Sequence, residues 1–163
     1  MIILGLDPSL SSTGYSIIQS TNDCLTLLDS GIIRTKSSQL ISTRLHTIGE
    51  QIEKIINTHH PEQAVLEECF LGQNVRTALL LGEVRGALLI ILKKLNILTF
   101  GYSAKTVKLA IVGYGAASKT QVQWMIKKIL CLSDAPISHD ATDAMAVAIC
   151  HIHHKQPGSE KRI

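Results

Sequence analysis

The chain lacks closely spaced cysteines: its four thiols, Cys24, Cys69, Cys131 and Cys150, are scattered, so neither a zinc knuckle nor a disulfide framework is indicated. It lacks a long hydrophobic run. Gly86 to Leu92 is the longest apolar stretch near the middle and falls far short of the ~20 residues a membrane span requires. The opening Met1-Ile2-Ile3-Leu4 has no basic region and no cleavage site, so a secretory signal is not expected. Repeats, linkers and low-complexity segments are also missing. What is there is 163 residues, 45% hydrophobic and 18% charged, which suits one domain with a real core. The expectation is a cytoplasmic domain over residues 1–155, with a polar, frayed tail at 156–163.

Acidic residues are missing from one long stretch as well. The net charge is only +3, yet Val84 to Ser133 holds eight basic residues and no acidic one. These are Arg85, Lys93, Lys94, Lys105, Lys108, Lys119, Lys127 and Lys128. Such asymmetry suits a basic face for a polyanion. Ordinary solvated lysines on helices would give the same count, and charge alone does not separate the two readings.

Hydrophobic periodicity divides the chain. Ile2 to Asp7 is an apolar run closed by a carboxylate and Pro8, as in a buried strand stopped by a turn. Gly14 to Ile18 and Cys24 to Thr35 predict two further strands, with Gly31 as a bulge. Ile41, Leu45, Ile48, Ile52 and Ile55 then recur at helical spacing up to His59-His60-Pro61. Gln63 to Cys69 reads as a fourth strand, Asn74 to Leu95 as a long helix and Ile97 to Phe100 as a fifth strand. Helices are predicted over Ser103 to Val112, Ser118 to Leu132 and His139 to His154. The sum is an α/β fold, a five-stranded mixed sheet with helices on both faces.

Four carboxylates stand out. Asp7 and Glu67 each close an apolar strand, at the edge where open α/β sheets usually bind ligands. Asp140 and Asp143 lie three apart near a helix start, so they share a face beside a stripe of Ala141, Met145, Ala148, Ile149 and Ile152. Gathered together, four acids repel one another unless a cation sits between them, and hard divalent ions meet that need. Each acid also has a plainer use. Asp140 or Asp143 would complement the helix dipole, and Asp7 would cap the turn after its strand. Glu67 has little local purpose.

These residues lie in motifs whose order and spacing are distinctive. They include I-L-G-L-D-P (Ile3 to Pro8) with T-G-Y (Thr13 to Tyr15), S-G-I-I-R-T (Ser30 to Thr35) and L-E-E-C-F (Leu66 to Phe70). L-G-E-V-R-G (Leu81 to Gly86), the run from Val107 to Val122 and H-D-A-T-D-A-M-A-V-A (His139 to Ala148) follow. In this respect the sequence resembles the RuvC-type Holliday junction resolvases, magnesium-dependent endonucleases of ribonuclease-H-like fold. The resemblance covers nearly the whole chain. Ser9 departs from it, since glycine is usual there.

By position, the resemblance implies that Asp7, Glu67, Asp140 and Asp143 are the catalytic, metal-binding acids. It implies two Mg²⁺ ions per site, with Mn²⁺ as a substitute, and His139 as an auxiliary or a helix cap. The implied activity is resolution of four-way DNA junctions by paired nicks, leaving 5′-phosphate and 3′-hydroxyl ends, in recombination and repair. Lys108 and Lys119 match basic positions suited to phosphate contacts. Phe70 matches an aromatic wedge, and Arg76 is a weaker candidate for the DNA backbone. The helix from Asn74 to Leu95 is too apolar for a surface helix and is either sandwiched in the core or shared with a second subunit; the resemblance implies the latter, a homodimer. A branch-migration motor complex is a further implied partner; no membrane or nucleotide cofactor is expected.

Three competing readings are weaker. Gly113, Gly115 and Lys119-Thr120 suggest a phosphate loop, but their spacing fits no nucleotide motif, and they read as a helix-connecting turn. The histidines of Cys150-His151-Ile152-His153-His154 suit a helix C-terminus better than a zinc site. A non-catalytic junction-binding protein of the same fold predicts a missing acid, and none is missing. Tyr15, Phe100, Tyr102, Tyr114 and Trp124 are expected to pack, and Cys24, Cys69 and Cys131 to be buried thiols.

Overall fold

Strands β1 (Ile2–Asp7), β2 (Ser12–Ser20) and β3 (Leu25–Arg34) form an antiparallel meander, as short turns between apolar runs require. Helix α1 (Ile41–His59) then carries the chain to β4 (Gln63–Glu67), which pairs parallel to β1. Helix α2 (Val75–Lys94) leads to β5 (Leu98–Tyr102), parallel to β4. The sheet order is β3-β2-β1-β4-β5, and α3 (Ala104–Val112), α4 (Lys119–Ile129) and α5 (His139–His153) complete the chain. This computed structural model describes residues 1–21, 24–68, 75–133, 136–154 and 163.

Both faces of the sheet are covered, which is why β1 and β4 read as continuous apolar runs. Ile3 and Val65 pack with residues of α3, α4 and α5. Leu4, Leu6, Ala64 and Leu66 point the other way, onto Ile48, Ile52 and Ile56 of α1 and Val84, Leu88 and Leu92 of α2. The expected mixed sheet with helices on both faces is the one observed.

Several local expectations need correction. The irregularity in β3 falls at Leu28, because Ile17 pairs with Asp29 and Ile18 with Leu27. Gly31 is instead in register with Tyr15, and a side chain there would press on the Tyr15 ring at 2.9 Å. In α1 the buried isoleucines Ile48, Ile52 and Ile56 step by four, and Ile56 takes the place expected for Ile55. In α5 the burial extends almost all round from Ala141 to His151, while Ile152 is only partly buried.

Tyr114, in the turn after α3, is exposed, and so is Trp124, because α4 buries Val122 and Ile126 on its opposite side. Cys24 and Cys131 are exposed too, Cys24 between two strands and Cys131 in a left-handed position just after α4. Cys69 lies outside the described residues. The Gly113 to Gly115 segment is a turn between helices, as expected: Gly113 closes α3 with φ 75° and Ser118 caps α4.

Candidate active site

The register of the central strands sets the site. Leu6 of β1 pairs with Leu66 of β4, so Asp7 and Glu67 emerge side by side where both strands end. Alternation along each strand places them on the face that carries Ile3 and Val65, beneath α5. Two carboxylates distant in sequence thus share one edge.

Helix α5 reaches that edge because the residues of β1 and β2 against its first turns are small. Gly5 lies against the Ala144 carbonyl oxygen, and Gly14 against that of Asp140, so a methyl group at either would overlap helix backbone. Ser16 Oγ donates to the Ala144 oxygen at 2.9 Å in a buried contact. Gly14 is also the partner of Asp7 across the β1–β2 pair. The bare position in β2 therefore brings the first turn of α5 directly toward Asp7. Ser138 caps the helix, accepting from the Ala141 N–H at 3.3 Å.

Charge and burial act together here. Asp7 is pushed up to about 7, first by burial and then by Asp143, Glu67 and Asp140, against a smaller lowering by Lys119. Glu67 is raised by burial and by Asp143, and Lys119 and Lys108 oppose this. Lys119 Nζ donates to Asp143 Oδ2 at 3.1 Å. That hydrogen bond and the Asp143 charge hold the ammonium above its ordinary value. Glu67, Lys108, Lys119 and Asp143 line one cleft, with Ala104, Val107, Val122 and Ala146 as its apolar walls. Asp140 stands on the β2 side, where Ser12 Oγ donates to its Oδ2 at 2.7 Å.

Mutual repulsion, burial and an all-oxygen donor set fit a hard divalent cation. Among the described residues, no three His, Cys, Asp or Glu side chains already form a metal-holding group. Among the described residues, the Lys119 ammonium is the one cation hydrogen-bonded to a carboxylate of the cleft. The donors suit a hard divalent ion.

The family model for crossover junction endodeoxyribonuclease RuvC matches residues 3–151. The chain belongs to the RuvC family. A relative from Pelotomaculum thermopropionicum, named crossover junction endodeoxyribonuclease RuvC, is 40% identical over 94% of both chains. One from Acinetobacter baylyi is 44% identical, covering 93% of this chain and 83% of that one. Among solved structures, Thermus thermophilus RuvC in complex with Holliday junction substrate superposes with a TM-score of 0.94. Its identity is 26%, over 100% of this chain and 99% of that one. The yeast mitochondrial resolvase Ydc2 shares the fold, with a TM-score of 0.65 at 13% identity over 93% and 78% of the two chains. This RuvC-family chain is thus a crossover junction endodeoxyribonuclease of ribonuclease-H-like fold.

The remaining candidates fall in different places. Lys108 and Lys119 line the cleft, whereas Arg76 is exposed in the first turn of α2. Phe70 lies outside the described residues. His139 is exposed and begins α5, but the cap is Ser138. Ser9 joins the turn through its backbone: its N–H donates to Thr13 Oγ1 at 3.3 Å, and its carbonyl accepts from that hydroxyl at 2.6 Å. His151 is fully buried, with Nδ1 2.9 Å from Tyr102 Oη and Nε2 2.8 Å from Gln63 Oε1, a packing role away from any metal group.

Sequence reasoning passed over Ser12, Gly14 and Arg85. Arg85 Nη1 donates to the Glu67 carbonyl at 2.7 Å and pins the end of β4. Its signal was present, as a basic residue inside an apolar helix. Nothing local marked Ser12, whose partner is 128 positions away.

Proposed function

We propose that this RuvC-family chain resolves four-way DNA junctions by paired, symmetric, Mg²⁺-dependent nicks that leave 5′-phosphate and 3′-hydroxyl ends. One observation carries the reading: Asp7 and Glu67 end neighbouring strands beneath the helix that bears Asp140 and Asp143, a buried gathering of like charges that raises Asp7 and that a cation would relieve. Asp7, Glu67, Asp140 and Asp143 would hold two ions, which supply an activated water and stabilisation of the leaving oxygen. Asp7, which feels the charge of the other three acids, would contribute to holding both ions. Lys108 and Lys119, on the cleft wall, bind the phosphate and orient the scissile strand. Phe70, close after Glu67 in sequence, is suited to hold an unstacked base step open, and Arg76 to meet the backbone.

A second copy of the chain completes the assembly. Val75, Leu79, Gly82, Gly86 and Ile90 fall within about 80° on one side of α2. Val75, Leu79 and Ile90 are exposed, and a Cβ at Gly82 or Gly86 would meet nothing. A homodimer through this stripe presents two active sites related by a two-fold axis, which matches the two equivalent strands of a junction.

The deciding experiment compares a synthetic four-way junction with linear duplex of the same sequence, in Mg²⁺ and in EDTA. Cleavage of the junction alone, abolished by EDTA, is the expected result. Equal cutting of both substrates would leave a nuclease and remove the resolvase reading.

A further inference from the structure

The turn between β1 and β2 is held by an arginine from another element. Arg44 of α1 is buried, and among the described residues its side-chain partners are neutral hydroxyls. Arg44 Nε donates to Thr35 Oγ1 at 2.8 Å, and Nη2 donates to Ser11 Oγ at 3.1 Å. Thr35 passes the restraint on: its hydroxyl donates to the Leu10 carbonyl at 2.5 Å and its N–H to that of Ser11 at 3.2 Å. The next residue, Ser12, begins β2 and donates to Asp140 Oδ2 at 2.7 Å. Burying a guanidinium with only hydroxyl partners is costly, and its bonds fix one backbone segment. That segment joins Asp7 to the serine that grips Asp140.

We propose that Arg44 and Ser12 are positioning residues for the acidic centre: Arg44 fixes the β1–β2 turn, and Ser12 at its exit sets the orientation of Asp140 relative to Asp7. The Ser12 bond occupies one carboxylate oxygen, so it selects which lone pairs of Asp140 face the cleft. Partners of this kind govern affinity at metal sites without touching the ion. The proposal rests on the metal-centre reading above, and it adds two residues to it.

The test titrates the metal-free chain with Mn²⁺, following the free ion by electron paramagnetic resonance, beside junction binding in EDTA and thermal unfolding. Ser12→Ala should weaken Mn²⁺ binding about tenfold. It should leave junction affinity in EDTA within about twofold, and Ser12→Thr should restore Mn²⁺ binding. Arg44→Lys should weaken Mn²⁺ binding similarly. Because both act through one relay, the double variant should bind little worse than either single variant. If Arg44→Lys proves unfolded, the two Ser12 variants still decide. Wild-type Mn²⁺ affinity in Ser12→Ala, or a loss that Ser12→Thr does not repair, overturns the proposal. Absence of Mn²⁺ binding by the wild-type chain would overturn the metal-centre reading first, and is recognisable as that failure.

Discussion

Asp7 is a carboxyl group placed where its ionised form is least welcome. Its value rises from the usual 3.8 to about 7, so the metal-free native chain retains a proton that the unfolded chain has released. Stability from this group is therefore full below pH ~4 and lost as pH rises through about 7. Glu67 shifts in the same direction and adds to the slope. Thermal unfolding of the metal-free chain should show a loss on the order of 2 kcal/mol between pH 5 and pH 8. Asp7→Asn should flatten most of it, and Mg²⁺ should raise the melting temperature of the wild type more at pH 8 than at pH 5. Lys119 is paired with Asp143, and on the proposed reading DNA phosphate competes for it. Exposed ion pairs are worth little in themselves, so the proposed DNA role is the measurable one. Lys119→Ala should weaken binding to junctions of any sequence and reduce the salt slope by about one counterion.

Elements decide where those side chains meet. The close approach of α5 to β1 and β2 needs Gly5, Gly14 and Ser16 below it and Ala144 and Ala148 above. Gly14→Ala would push against helix backbone, which cannot swing aside as a side chain can. We expect it to cost about 1–3 kcal/mol by denaturant unfolding. Cleavage should fall further than stability explains, because the displaced turn carries Asp140. Helix α2 poses the opposite case, an exposed apolar stripe in place of a crowded contact. Leu79→Glu puts a charge in that stripe, and if the proposed dimer forms through it, sedimentation should show a dimer for the wild type and a monomer for the variant. An unaltered dimer would move the interface elsewhere.

Over the whole molecule, the charge pattern divides into two uses. Of the acids at the ends of β1, β4 and α5, Glu67 and Asp143 line one cleft with Lys108 of α3 and Lys119 of α4, and Asp7 feels the charge of all three other acids from beside it. The net +3 is the sum of those parts. The basic stretch is not uniform in role. Lys94 pairs with Glu53 on the α1–α2 side, and Lys128 lies over the Trp124 ring, whereas Lys108 and Lys119 act on the carboxylates. Charge counting along the chain found the stretch; only packing sorted its members.

Most of the elements were legible because their causes are local. Apolar runs closed by Asp7 and Glu67 specify strands, and the spacing of Ile48 and Ile52 specifies a helix face whatever the rest does. The site was legible in part, since an acid at a strand end and a pair three apart on a helix carry their geometry with them. What stayed hidden depends on residues brought together from afar. The β3 irregularity at Leu28 depends on register against β2, and the exposure of Trp124 on which side of α4 meets the core. The Ser12–Asp140 bond joins residues 128 apart, and the room for α5 comes from glycines whose purpose appears only under the helix. The sequence alone determined which elements form and which acids they end on. Tertiary structure decided the distance and orientation between those acids, because these follow from packing and register among segments remote in the chain.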